Sequence, residues 1–342
     1  MTHTIPTTMR ASVLRGVHDV ALEERATPQP AADEVLVRIH SVGVCGSDVH
    51  YYEEGRIADF VVETPLILGH ECSGVIVAVG DDVDPARIGQ RVAIEPQRAC
   101  RTCTYCRSGR YNLCPEMEFY ATPPIDGSFC DFVTIQADYA FEMPESMSFD
   151  AGALIEPLSV GVAAQDKMGL GPGDSLLIAG CGPIGVLCMM AALGSGVRRI
   201  VMTDMNEGRR AKALELGASA AYAPGDPELA GLRFTGFVDA TGVPSAIVGG
   251  ILQLAPAGTA VLVGMGADVL ELPVSHIANN EIILTGVFRY TNTWPRAIEM
   301  ASSGLFDLDQ LVTDIYALDE AETALAAPPS PTTMKRIVRV NA

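Results

Sequence analysis

Two rhythms of hydrophobic and polar positions divide the chain. Up to about Ser159, short apolar stretches are cut by Gly and Pro. In "EVLVRIHSVGV" the residues Val35, Val37 and Ile39 share one face. "ECSGVIVAVG" and "RVAIEP" continue that style, and together they predict an antiparallel, barrel-like β domain. Beyond Ser159 the rhythm changes. "SLLIAG" is short and wholly apolar, as parallel strands buried on both faces are. A helix from about Pro183 to Leu193 follows, then the strand "RIVMTD". "NEGRRAKALELG" reads as a helix with Gly217 as its stop. "GFVDATG", "TAVLVGMG" and "EIILTGVF" supply later strands. Strand alternating with helix predicts a doubly wound α/β domain around a parallel sheet. After Tyr290 come a helix near "WPRAIEMAS" and a last strand, "MKRIVRV". The expected division is 1–158 with 290–342 for the β domain, and 159–289 for the α/β domain.

A chain of 342 residues exceeds one ordinary core, in keeping with two domains. Its formal net charge of -19, with no Lys/Arg run, argues against nucleic acid and against anionic membrane surfaces as partners. The N-terminus lacks the apolar core of a signal peptide. Ser175 to Val197 carries no charge and has the length of a membrane span, but the "GCGPIG" inside it suits a turn between strand and helix. The expectation is a cytoplasmic protein in a reducing compartment. There disulfides are disfavoured, and the chain's nine cysteines cannot all pair internally in any case.

In "GCGPIG" the residues Gly180, Gly182 and Gly185 form G-x-G-x-x-G between a predicted strand and a predicted helix. Such glycines allow a tight turn and close approach of backbone to a pyrophosphate, which the helix N-terminus then faces. Asp204 ends the next strand. A carboxylate there binds the ribose hydroxyls of NAD and repels the 2′-phosphate of NADP. Arg209 complicates this preference, since an arginine near that position can hold a 2′-phosphate.

"CRTCTYCRSGRYNLC" places Cys100, Cys103, Cys106 and Cys114 at C-x2-C-x2-C-x7-C. Four thiolates close a tetrahedral zinc shell and leave no position for water or substrate, so the cluster is expected to clamp a loop rather than catalyse. Chemistry is then expected elsewhere. "VGVCGSDVHYY" offers Cys45, Ser47, Asp48 and His50, "LGHECSG" offers His70 and Glu71, and "LIEPLSVG" offers Glu156. Taken singly, these are more readily ordinary residues: Cys45 a core thiol, His70 a turn histidine, Glu71 and Glu156 surface acids.

The sequence "GHECSGVIVAVGDDV" fits the G-H-E-x2-G-x5-G-x2-V signature of the zinc-containing medium-chain dehydrogenases, and the chain resembles that family along essentially its whole length. "VCGSDVHYYEEGRIADFVV", "GRYNLCP", "YATPPIDGSF", "GALIEPLSVG" and "GVFRYTNTWP" are similar to its polyol branch, the sorbitol (L-iditol) and xylitol dehydrogenases. The resemblance implies a GroES-like β-barrel catalytic domain beside a Rossmann domain. It implies a catalytic zinc on Cys45, His70 and Glu71, with Glu156 as fourth ligand or as partner of a zinc-bound water. Ser47 and His50 would relay the proton, with Glu156 acting through water as the other route. Tyr51, Phe60, Phe119, Thr122, Arg289 and Tyr290 would line the substrate pocket. Besides the three glycines, Pro183, Ile184, Asp204, Arg209, Val263, Gly264, Met265, Val287, Phe288 and Arg289 would contact NAD. Gln90 stands where the family usually has Asp. The four-cysteine set is kept here, although many animal sorbitol dehydrogenases lack it.

The implied activity is reversible, NAD-linked oxidation of a secondary alcohol of an alditol to the ketose. The pocket residues that can hydrogen-bond, Arg289, Tyr290, Thr122 and Tyr51, suit a substrate with several hydroxyls. A homodimer or homotetramer is the expected assembly. Two other readings remain at this stage. One is a related zinc dehydrogenase for a butanediol or a threonine-like amino alcohol. The other is a catalytically silent NAD-binding module, which has no need of Cys45, His70 and Glu71 together.

Overall fold

The computed structural model describes residues 5–328, 330 and 332–341. The described residues fall into two compact units: Met1–Glu156, Asp307–Pro329 and Lys335–Ala342 in one, Pro157–Phe306 and Ser330–Met334 in the other. The first crossing lies at Glu156, close to the expected 158. The second lies at Asp307 rather than at 290. The helix Trp294–Ser302 accounts for the difference, because it packs on the helix Pro183–Gly194 of the second unit. A side chain at Gly194 would meet Met300 at 2.9 Å.

The first unit is built on a seven-stranded sheet in which Glu34–Gly43 is central. This strand pairs antiparallel with Glu71–Val79, with Phe132–Gln136 and with the last strand, Lys335–Arg339. Val35, Leu36, Val37 and Ile39 are all buried, so the alternation read from the sequence marks only part of a strand covered on both faces. A three-stranded sheet of Asp19–Ala26, Thr8–Gly16 and Leu66–Ile67 is bridged to the same core through Ala11 and Cys130. The expected antiparallel character holds except for Val312–Ala317, which runs parallel to Lys335–Arg339. At Gln90 the turn is held by Arg87, whose Nε donates to Gln90 Oε1 at 2.8 Å.

The second unit carries a six-stranded, wholly parallel sheet in the order Ala220–Tyr222, Arg199–Thr203, Ser175–Ala179, Phe234–Asp239, Leu254–Leu262, Ile283–Gly286. The order reverses between Ser175–Ala179 and Phe234–Asp239, which makes the switch point where doubly wound sheets bind ligands. Leu176, Ile178, Phe237 and Val238 are buried, as strands covered by helices on both faces require. The uncharged stretch from Ser175 to Val197 is a five-residue strand and a twelve-residue helix. Among the described residues no helix is long and apolar enough to cross a membrane.

Candidate metal and cofactor sites

The four-cysteine loop folds on itself through backbone-to-sulfur bonds. Cys103 caps the short helix Thr104–Arg107, and its sulfur accepts from Cys106 N at 3.4 Å. Cys100 sulfur accepts from Cys103 N at 3.4 Å. The backbone donors of Cys103 and Thr102 hold the Cys100 thiol down to about 6, whereas burial pushes Cys106 up to about 12. The four sulfurs lie within 4.8 Å of one another, and two of the pairs measure 3.4 and 3.9 Å. Tetrahedral zinc with Zn–S bonds of about 2.3 Å needs sulfurs about 3.8 Å apart. The residues therefore fit a closed shell.

The second cluster is assembled by strand register. Glu71 opens its strand opposite Gly43. This brings Cys45, just past the end of one strand, beside His70, just before the start of the other. The Cys45 sulfur, a His70 nitrogen and a Glu71 oxygen lie within 4.8 Å of one another. Gly43 is required here, because a side chain at that position would strike the Glu71 carboxylate. One sulfur, one nitrogen and one oxygen leave a tetrahedral ion an open position, the arrangement of catalytic rather than structural zinc.

Two buried charged residues brace this cluster. Asp48 is fully buried. It accepts from Cys45 N and Gly69 N, each at 2.9 Å, and faces His70 Nδ1 at 3.7 Å. It thus fixes the ring rather than serving as a ligand. Lys335 is also buried, and its Nζ donates to Glu71 Oε1 at 2.6 Å and to Val44 O at 3.1 Å. Burial works against the charge of His70, yet Cys45 and Asp48 outweigh it and hold the imidazolium up to about 10. Lys335 is likewise raised: burial lowers it, but Glu71 and Cys45 prevail. The pocket therefore has a surplus of negative charge that suits a cation. Lys335, a lone lysine at the start of the last strand, belongs to no motif. Its register was the missing information: Ile337 pairs with Gly43, so position 335 falls level with Cys45.

The remaining candidates divide. Glu156 is buried and its charge acts on His70 and on Lys335, but it stands outside the three-ligand group. His50 is exposed, 3.4 Å from Glu54, on the helix Gly46–Glu54 that also carries Ser47. Tyr51 is buried on the same helix. The Phe119 ring lies 5.5 Å from His70, and Thr122 N donates to Phe119 O at 3.1 Å. Phe60 is 44% exposed on a two-stranded ribbon. Arg289 and Tyr290 belong to the second unit, where Tyr290 packs edge-on against Trp294 and Arg289 adopts φ +55° with its guanidinium over Phe288. A cavity of 570 Å³ in the first unit, lined in part by Arg25, Arg98, Tyr120 and Phe132, involves none of the metal-ligand candidates.

In the second unit Gly180 has φ +99°, and a side chain at Gly185 would strike Gly180 O. Both glycines are needed for the turn to close. Gly182 caps the helix Pro183–Gly194, and a side chain there would meet only Arg209, 3.9 Å away. The space before the helix N-terminus is thus open to a phosphate. Asp204 accepts from Cys181 N at 2.9 Å and from Asn206 N at 2.8 Å, fixing it beside the turn. Val263–Met265 and Val287–Arg289 follow the last two strands, and Val287 N donates to Leu262 O at 3.0 Å. The predicted cofactor residues thus gather at the carboxyl ends of the parallel strands and the N-termini of their helices, and the cradle fits a dinucleotide.

Residues 31–145 match the alcohol dehydrogenase GroES-like domain family, and residues 183–303 match the zinc-binding dehydrogenase family. Sorbitol dehydrogenase of Bacillus subtilis is 40% identical over 95% of each chain. The chain belongs to the zinc-binding dehydrogenases. Sorbitol dehydrogenase of Bos taurus is 42% identical over 90% of each chain. The solved structure of L-idonate 5-dehydrogenase from Escherichia coli matches 97% of this dehydrogenase and 98% of its own chain, with a TM-score of 0.91 and 29% identity. The GroES-like and Rossmann architecture, zinc and a nicotinamide cofactor are the common ground of this family.

Proposed function

We propose that this protein is an NAD-linked, zinc-dependent polyol dehydrogenase. It oxidises a secondary alcohol next to the terminus of an alditol, such as sorbitol or xylitol, reversibly to the ketose. The observation that carries the reading is the Cys45, His70 and Glu71 group, whose three ligand atoms lie within 4.8 Å of one another with Phe119 beside His70. The sorbitol dehydrogenases at 40% and 42% identity support an alditol over a butanediol or an amino alcohol.

Bound zinc supplies a Lewis acid that lowers the pKa of a ligated hydroxyl, and NAD supplies the hydride acceptor. The chain provides the rest. Cys45, His70 and Glu71 would hold the metal, Asp48 orients the imidazole, and Lys335 balances Glu71. Ser47 takes the hydroxyl proton, and His50, exposed at the surface, delivers it to solvent. Glu156 would hold a water in the pocket and offers the other route for the proton. Thr122 and Tyr51 bond the neighbouring hydroxyls. Asp204 selects NAD. The strand Ile283–Gly286 is the end strand of the parallel sheet among the described residues and carries the exposed Ile283, which supports a homodimer or homotetramer. Nine free cysteines support a reducing, cytoplasmic setting.

Glu156→Gln tests the reading. It should lower kcat with sorbitol or xylitol far more than it weakens NAD binding. Equal losses in both would refute the role of Glu156.

A further inference from the structure

Asp239, at the end of the strand beside the switch point, is fully buried yet belongs to neither the metal site nor the cofactor contacts named above. Its carboxylate is consumed by loop donors. Oδ1 accepts from Thr241 N at 3.1 Å and Thr241 Oγ1 at 2.6 Å, and Oδ2 accepts from Gly242 N at 2.9 Å. Its carbonyl accepts from both Val263 N and Gly264 N at 2.9 Å. One residue therefore ties down the loops that leave two neighbouring strands. A third loop leans on the same point. Ala240 N donates to Ala179 O at 2.9 Å, and a side chain on Gly180 would meet Thr241 Cγ2 at 3.0 Å. The contacts are close: side chains at Gly242, Gly264 or Gly266 would each strike backbone of the facing loop.

We propose that Asp239 and Thr241 form a clamp that presets the dinucleotide-facing edge of the second unit. Asp239 is a positioning residue: its oxygens are occupied by protein donors, so it acts through the backbone of Thr241, Gly242, Val263 and Gly264. A buried carboxylate suits this task, because three converging donors need an acceptor-only group, and charge-assisted bonds hold them more rigidly than neutral ones. Preset loops spare the cofactor the entropy of ordering them on binding. The clamp thus favours cofactor affinity over alcohol recognition. It rests on the dinucleotide-binding reading given above.

The test uses the full-length, zinc-loaded protein. NADH affinity is measured by fluorescence titration, alongside Tm and the KM for the alditol at saturating NAD. Asp239→Asn replaces an acceptor with an amide donor facing another donor, and Thr241→Val removes the hydroxyl, whereas Thr241→Ser keeps it. Losing a buried bond to a charged group should weaken NADH binding at least about tenfold in Asp239→Asn and Thr241→Val. The alditol KM should stay unchanged, and Thr241→Ser should bind like wild type. Wild-type NADH affinity in a folded Asp239→Asn protein would overturn the clamp. So would parallel losses in NADH affinity and alditol KM. If Asp239→Asn does not fold, Thr241→Val decides by the same criteria. NADH titration needs no alcohol, so a wild-type protein that fails to bind NADH would overturn the dinucleotide reading itself, whereas failure confined to the variants' expected behaviour overturns the clamp alone.

Discussion

Glu95 is a buried carboxyl whose ionisation should be visible in the stability of the whole protein. It follows the strand Arg91–Ile94 and is fully buried. Its Oε1 accepts from Tyr111 at 2.8 Å and from the Gln97 amide, while Oε2 has no hydrogen-bond partner among the described residues. Burial pushes the carboxyl up to about 7 from an ordinary 4.5, and the two hydrogen bonds offset this only in part. Between those values the folded protein holds a proton that the unfolded chain has released, so stability falls as pH rises through the window. Above about 7 the full penalty is present. At about 1.4 kcal/mol for each pH unit, the gap amounts to about 3 kcal/mol. Glu95→Gln keeps an oxygen for Tyr111 and Gln97 but cannot ionise, so it removes the pH-dependent part. The assay is thermal unfolding of both proteins from about pH 5 to about pH 8. Titrations elsewhere in the chain are common to both, and pH-independent effects of the amide leave the slope untouched. About 2.5 kcal/mol of the gap falls within that range, so the difference in Tm should move by about 5 °C or more in favour of the variant, taking about 2–4 °C per kcal/mol. A difference that stays flat with pH would refute the reasoning.

Three further outcomes follow from the sites. Cys103→Ser opens the four-sulfur shell, so it should lower Tm and release about one zinc per chain by metal analysis while leaving residual turnover per folded molecule. Lys335→Met leaves Glu71 buried beside Cys45 and Asp48 without its partner. Breaking such a pair typically costs about 3–5 kcal/mol, and added zinc should recover part of it, so the variant's loss of Tm should be larger after chelation than before. Asp204→Ala should relax the preference for NAD over NADP, measured as the ratio of kcat/KM for the two cofactors. An unchanged ratio would remove Asp204 from that role.

What the sequence made legible follows the range of the interactions involved. The strands of the parallel sheet stood out because they are buried on both faces and so read as continuous apolar stretches, as in Ser175–Ala179. The four-cysteine loop was legible because its ligands lie within fifteen residues of one another, and Gly180 and Gly185 were legible because the turn that needs them is local. Long-range pairing was not readable from spacing. Cys45 and His70 meet only because Gly43 pairs with Glu71, and resemblance rather than spacing pointed to them. The same limit hid Lys335, Asp48 in its bracing role, and Asp239, whose partners are backbone amides that no side-chain pattern announces. The helix Trp294–Ser302 is legible as a helix, but an amphipathic pattern does not say which unit its apolar face covers.

The most direct test is alditol-dependent NADH formation, measured before and after the protein is stripped of zinc by chelation. NADH should form from sorbitol, xylitol or a related alditol, the activity should be lost on chelation, and it should return when zinc is restored. A protein carrying two zinc ions per chain that forms no NADH from any alditol, or one whose activity survives complete loss of zinc, would contradict the proposed function.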